Sequence, residues 1–145
     1  MLIVKKFGGT SVGNKERILN VAKRCIEEYQ KGNDVVVVLS AMGKMTDELI
    51  AMAKDINPNP PKREMDMLLT TGEQTSVAMM AMAMHSMGIP AVSLNAFQVA
   101  MHTTHAYSNA RIKRIDTDRI LNELEQRKIV IVTGFQGVDR YDNYT

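Results

Sequence analysis

Residues 35–43 read VVVVLSAMG: Val35, Val36, Val37, Val38 and Leu39 in unbroken succession, then the loop Ser40-Ala41-Met42-Gly43. A strand with one face in water alternates apolar and polar residues, and this one does not. Both its faces are therefore expected to be covered by helices, which favours a parallel sheet. Ile129 to Thr133 (IVIVT) is a second strand of this kind, closed by Gly134-Phe135-Gln136-Gly137. Leu2-Ile3-Val4, followed by Lys5-Lys6-Phe7 and Gly8-Gly9, reads as a buried strand ending in a tight turn. Ala91 to Leu94 is a short further strand.

Between these strands the period changes. Ile18, Ala22, Cys25, Ile26 and Tyr29 recur at helical spacing after Asn14, and Gly32 stands where helices commonly end. Met45, Leu49, Met52 and Ala53 begin another amphipathic helix, and NPNPP (Asn57 to Pro61) marks a surface connection. A helical stretch from Lys62 to Thr71 is expected to be interrupted at Gly72. A second run from Gln74 to Met87, apolar nearly all round, reads as a buried helix ended by Gly88-Ile89-Pro90. Asn95 to Ser108 is mixed in character. Asp116 or Thr117 can cap a helix with Ile120, Leu121 and Leu124 on its inner face. The alternation implies βαβ units and a three-layer α/β/α sandwich with a mainly parallel sheet.

Composition bounds the function. The chain has 145 residues, 45% of them hydrophobic and 23% charged, a globular composition. Lys+Arg 18 against Asp+Glu 16 gives +2, too balanced to argue for nucleic acid or a membrane surface as partner. A single Cys excludes an internal disulfide framework and fits a reducing, cytoplasmic setting. No apolar run reaches the roughly 18 residues of a membrane span, and the start MLIVKK lacks the order of a signal peptide.

In an open parallel sheet, ligands bind at the carboxyl ends of the strands. That singles out Lys6 to Gly13, Ser40 to Thr46, the loop after Leu94, and Gly134 to Gly137. In KFGGTSVG (Lys6 to Gly13) a lysine precedes two glycines and two hydroxyl residues. It has neither Walker nor GxGxxG spacing. Gly8 and Gly9 still let backbone approach a phosphate, and Lys6 supplies a compact charge. The same residues also read as a plain turn with a solvated lysine. Glu73 reads as a local helix-start carboxylate or as a substrate contact, and Thr46 as a helix cap, a pocket residue or both.

More specifically, KFGGTSVG closely resembles the N-terminal signature of aspartate kinases. VVVVLSAMGKMTDEL (Val35 to Leu49), LLTTGEQTSVAMM (Leu68 to Met80), SNARI (Ser108 to Ile112) and IVIVTGFQGV (Ile129 to Val138) are similar to later blocks of that family, in order and over nearly the whole chain. The resemblance implies the amino-acid-kinase fold and transfer of the γ-phosphoryl of ATP to the β-carboxylate of L-aspartate, the first step of lysine, threonine and methionine biosynthesis. It implies Mg²⁺ held mainly by the nucleotide phosphates, with no metal ligands in this chain, and a homo-oligomeric parent. Lys6, Phe7, Gly8 and Gly9 would bind the ATP phosphates, with Lys6 catalytic. Ser40, Ala41 and Thr46 would line the aspartate pocket, and Glu73 would hold the α-ammonium.

The family continues beyond the block that resembles the end of this sequence. A Gly-Arg-Gly-Gly-Ser-Asp segment, an adenine-binding lobe and usually ACT regulatory domains follow there, and residues 1–145 contain none of them. The expectation is an N-terminal part of such a kinase domain, inactive alone. Another amino-acid kinase (glutamate or carbamate type) and a non-catalytic amino-acid-binding or interaction module are the alternatives. Met79, Met80, Met82, Met84 and Met87 read as core packing or as a copper-binding box. His102 and His105 form H-x-x-H, read as a solvated loop over a zinc site. Cys25 reads as inert core, His85 as the edge of its helix, and Arg111 as either an anion contact or a surface ion pair.

Overall fold

The computed structural model describes all of residues 1–145. In chain order the elements are β1 (Leu2–Phe7), a 3₁₀ turn (Gly9–Val12), α1 (Lys15–Gln30), β2 (Asp34–Leu39), α2 (Met45–Ile56) and α3 (Lys62–Ser86). There follow β3 (Ala91–Leu94), β4 (Met101–Thr103), β5 (Ile112–Ile115), α4 (Asp118–Glu125) and β6 (Ile129–Thr133). Four strands form one sheet in the order β1-β2-β6-β3, and every neighbouring pair is parallel. The last strand, β6, thus enters between β2 and β3, and all of its residues are buried.

The uninterrupted valines of β2 are explained by layers on both sides. Val35, Val37 and Leu39 join Ile129 and Ile131 under α1 and α3, where they meet Val21, Cys25, Val77, Met80 and Met84. Val36, Val130 and Val132 point the other way, clustering with Leu94 of β3, with Val99 and with Leu124 of α4. Each fully buried side chain of this size stabilises the fold by about 1.5–3 kcal/mol relative to exposure. On α1, Asn14 caps the first turn, its side-chain oxygen accepting the Arg17 amide at 2.9 Å. Cys25 is core, as expected, and burial pushes its thiol up to about 11.

Several expectations need correction. Gly72 does not interrupt a helix: α3 runs unbroken through it for 25 residues. A Cβ there would lie 3.2 Å from the Ala41 Cβ, 3.3 Å from Leu49 Cδ1 and 3.5 Å from Met45 Sδ. The glycine is a close-approach point for the 40–45 loop and α2. Nor is the second half of α3 buried all round, since Met80 and Met84 face the core while Met79 and Met82 are exposed. β1 is an edge strand, not a buried one, and Leu2 and Val4 are exposed. In α4, Leu124 is buried but Leu121 is exposed. The helix starts after Thr117, and the side chain of Asp116 accepts the Asp118 amide at 3.0 Å.

The mixed segment hides an antiparallel hairpin, β4–β5, with a register shift at His102/Thr103. His102 therefore lies on a strand and not in a loop. β4 is held from its other side by Val138: Thr103 N–H donates to Val138 O, and Val138 N–H to Met101 O, each at 2.8 Å. The segment after Val138 folds back on itself. Gly137 and Thr145 exchange backbone hydrogen bonds at 3.0 Å. Asp139 is 1% exposed and accepts the amides of Tyr141 and Asn143, each at 2.9 Å.

Candidate functional site

The carboxyl ends of β2 and β6 open into a cavity of about 720 Å³. Ser40, Ala41, Thr46 and Glu73 all line it, together with Gly134, Phe135, Gln136 and Gly137. Ser40 and Ala41 come from the β2–α2 connection, Thr46 from the first turn of α2 and Glu73 from the middle of α3, so the sheet and the Gly72 crossing bring them together. Thr46 is not the cap of α2: the helix begins at Met45, its cap position is Lys44, and Thr46 is exposed in the first turn. In that turn the Met45 amide donates to Met42 O and the Glu48 amide to Lys44 O, which leaves the Thr46 and Asp47 amides without a backbone acceptor and open to an anion.

Glu73 is not at a helix start either. It is 7% exposed at mid-helix, and its Oε2 accepts the Phe135 amide at 2.8 Å. Its Oε1 accepts no hydrogen bond from the chain. Burial raises the Glu73 carboxyl above the usual carboxylate range, and the amides of Phe135 and Gly134 offset part of that rise. No Lys, Arg or His lines the cavity. Two carboxylates and several hydroxyls suit a ligand carrying an ammonium group.

The first loop sits at the rim. Lys6 is exposed, forms no ion pair, and places its Nζ 5.6 Å from the centroid of the Phe135 ring, which borders the cavity. The two glycines beside it differ. A Cβ on Gly9 would lie 2.6 Å from Ala41 O and 3.2 Å from Gly43 O, whereas a Cβ on Gly8 would meet nothing within 4 Å. Gly9 O also accepts the Gly43 amide at 2.9 Å, joining the first loop to the second. Gly8 alone thus offers a bare, unobstructed backbone surface. Phe7 is half-buried against the core and borders a separate, smaller depression with Thr10, Ser11, Arg17 and Arg24.

Other cavity residues were not singled out from sequence: Asp66, Thr70, Thr103 and Asn109 among them. Asp66 carried a signal, an acid with apolar residues on both sides in MDMLL. Gln136 is 3% exposed and bridges Thr70 O (3.0 Å, donating) and the Ala96 amide (3.3 Å, accepting). Arg111 is exposed and pairs with no acid of the chain. No group of three or more His, Cys, Asp or Glu converges as a metal site, and no helix is long and apolar enough to cross a membrane.

A family model for the amino acid kinase family matches residues 1–144. The chain belongs to the amino acid kinase family. Among its members, the aspartokinase of Bacillus sp. (strain MGA3) is 57% identical over 99% of this chain and 35% of its own length. The aspartate kinase from Synechocystis, a solved structure, is 48% identical with a TM-score of 0.84, over 100% of this chain and 23% of that one. E. coli aspartokinase III, solved with aspartate and ADP, is 19% identical with a TM-score of 0.86, over 100% of this chain and 43% of that one, and shows the shared amino-acid-kinase fold. The chain spans about a third of the length of the curated relatives it matches.

Proposed function

We propose that the cavity is the acceptor site of an aspartate kinase, holding L-aspartate while its β-carboxylate receives the γ-phosphoryl of ATP to give β-aspartyl phosphate. The observation that carries this reading is the convergence of Ser40, Ala41, Thr46 and Glu73 on one cavity. The identity to aspartokinases supports it, as does the ligand pair of the E. coli structure.

The roles follow from chemistry. A carboxylate is already nucleophilic, so the chain has to position it and neutralise phosphate charge. Glu73, with one oxygen fixed by the Phe135 amide and the other free, pairs with the α-ammonium. The Ser40 and Thr46 hydroxyls and the first-turn amides of α2 hold the carboxylates. The open face of Gly8 and the unpaired Lys6 fit a phosphate, and Lys6 screens the charge that develops during transfer. The nucleotide supplies the transferable phosphoryl group, with Mg²⁺ held mainly by its phosphates. Phe7 and Gly9 shape this loop through their packing. Residues 1–145 contribute the acceptor half of the site within a longer kinase domain, in a homo-oligomeric cytoplasmic enzyme.

Calorimetric titration of the 145-residue chain with L-aspartate and with succinate, which lacks the ammonium, tests the reading. Aspartate binding that weakens about tenfold in Glu73→Gln is expected, the worth of one charged hydrogen bond. Equal affinity for succinate, or an unchanged Glu73→Gln variant, refutes it. ATP turnover by the chain alone, lost on Lys6→Ala, would show that more than half a site is present.

A further inference from the structure

The SNARI block has no role in the reading above, yet Ser108, Asn109, Ala110 and Ile112 line the same cavity. They belong to the loop joining β4 to β5. At its base, Thr104 N–H donates to Arg111 O at 2.9 Å and Arg111 N–H to Thr104 Oγ1 at 3.0 Å. At its tip, Asn109 N–H donates to Ala106 O at 3.0 Å. These bonds shape the loop without attaching it to anything else.

The attachment comes from α3. Asp66 is 8% exposed and shares a helical stripe with Thr70 and Glu73, four and seven residues on. Its Oδ2 accepts the Ser108 amide at 2.8 Å and its Oδ1 the Ser108 hydroxyl at 3.1 Å. These are the hydrogen bonds that tie residues 105–110 to the rest of the molecule. Ser108 also has φ 62°, a left-handed conformation that a non-glycine residue keeps only when its surroundings impose it.

We propose that Asp66 is a positioning residue that pins the 105–110 loop to α3 as a wall of the acceptor cavity, so that Ser108 to Ala110 set which amino dicarboxylate fits. Both oxygens of Asp66 are engaged by the loop, so it acts on the ligand through that wall. The inference rests on the aspartate-site reading. With the pin broken the wall relaxes, and a ligand one methylene longer is no longer excluded.

Amide hydrogen exchange and calorimetry on the 145-residue chain test this, with L-aspartate and L-glutamate as probes. Asp66→Ala and Asp66→Leu, the second close in volume to aspartate but without an acceptor, are expected to speed exchange in residues 105–110 by about tenfold. Both are expected to narrow the aspartate-over-glutamate preference by about the same factor. Ser108→Gly keeps the amide and accepts the left-handed backbone, so it is expected to stay within about twofold of the unmodified chain. If Asp66→Ala does not fold, Asp66→Leu and Asp66→Asn carry the comparison. Unchanged exchange overturns the proposal, and so does faster exchange with an unchanged ligand ratio. An unmodified chain that binds neither acid refutes the aspartate site instead, while accelerated exchange in the variants still supports the pin.

Discussion

Alanine at the two glycines of the first loop is expected to give opposite results, although sequence treats them alike. At Gly9 the new Cβ would lie 2.6 Å from the carbonyl oxygen of Ala41, a backbone atom that cannot swing aside. The two loops must separate, and overpacking of this kind costs about 1–3 kcal/mol. Separation also stretches the 2.9 Å Gly43–Gly9 hydrogen bond, worth about 1 kcal/mol. Against this, alanine loses about 0.4–1 kcal/mol less chain entropy on folding. The net expectation for Gly9→Ala is a loss of about 1–3 kcal/mol. At Gly8 nothing lies within 4 Å, and φ −78° with ψ 173° is open to any residue. Gly8→Ala is therefore expected to range from neutral to about 1 kcal/mol more stable, while its added methyl weakens nucleotide binding. Urea denaturation of both variants, beside titration with Mg·ATP, reads both quantities. A Gly9→Ala chain as stable as the original, or a Gly8→Ala chain less stable than Gly9→Ala, refutes the distinction.

Because burial raises the Glu73 carboxyl, the folded chain binds a proton there more tightly than the unfolded chain does. Stability from this group is full below the unfolded value of 4.5 and falls as pH rises from there through the raised folded value. Glu73→Gln should remove that decline, which urea midpoints measured from pH 4 upward would show. Ser76 Oγ is buried with no hydrogen-bond partner, so Ser76→Ala is expected to be neutral or up to about 1 kcal/mol stabilising, and a lower melting temperature would contradict this. Cys25, fully buried with its thiol pushed up to about 11, should react with a disulfide reagent only as fast as the chain opens. Rapid labelling of the folded protein would place it elsewhere.

The strongest legible signals were those in which one residue type leaves a single physical option. Valines at 35–38 demand cover on both faces, and the layers of α1, α3 and α4 provide it. The pocket residues Ser40, Ala41 and Thr46 were legible through the rule that ligands gather where parallel strands end as well as through family likeness, and Glu73 through family likeness. The β4–β5 hairpin was not legible. β5 has no buried residue, and β4 owes its place to Val138, more than thirty positions away. Gly72 misled for a related reason. Its helix cost of about 1 kcal/mol is local and visible in sequence, whereas its contact with Ala41, Leu49 and Met45 exists only once α3 packs on the second loop.

What the sequence determined by itself about this protein is the layered α/β arrangement, the doubly covered strands β2 and β6, and the family. Those properties rest on residue type and spacing along the chain. Only the tertiary structure decided that Gly8 faces open space while Gly9 faces a carbonyl, that Glu73 is buried at mid-helix against the Phe135 amide, and that Asp66 grips Ser108. Each of these depends on distances between segments far apart in the chain. Such distances are set by how the layers pack, and no local pattern encodes them.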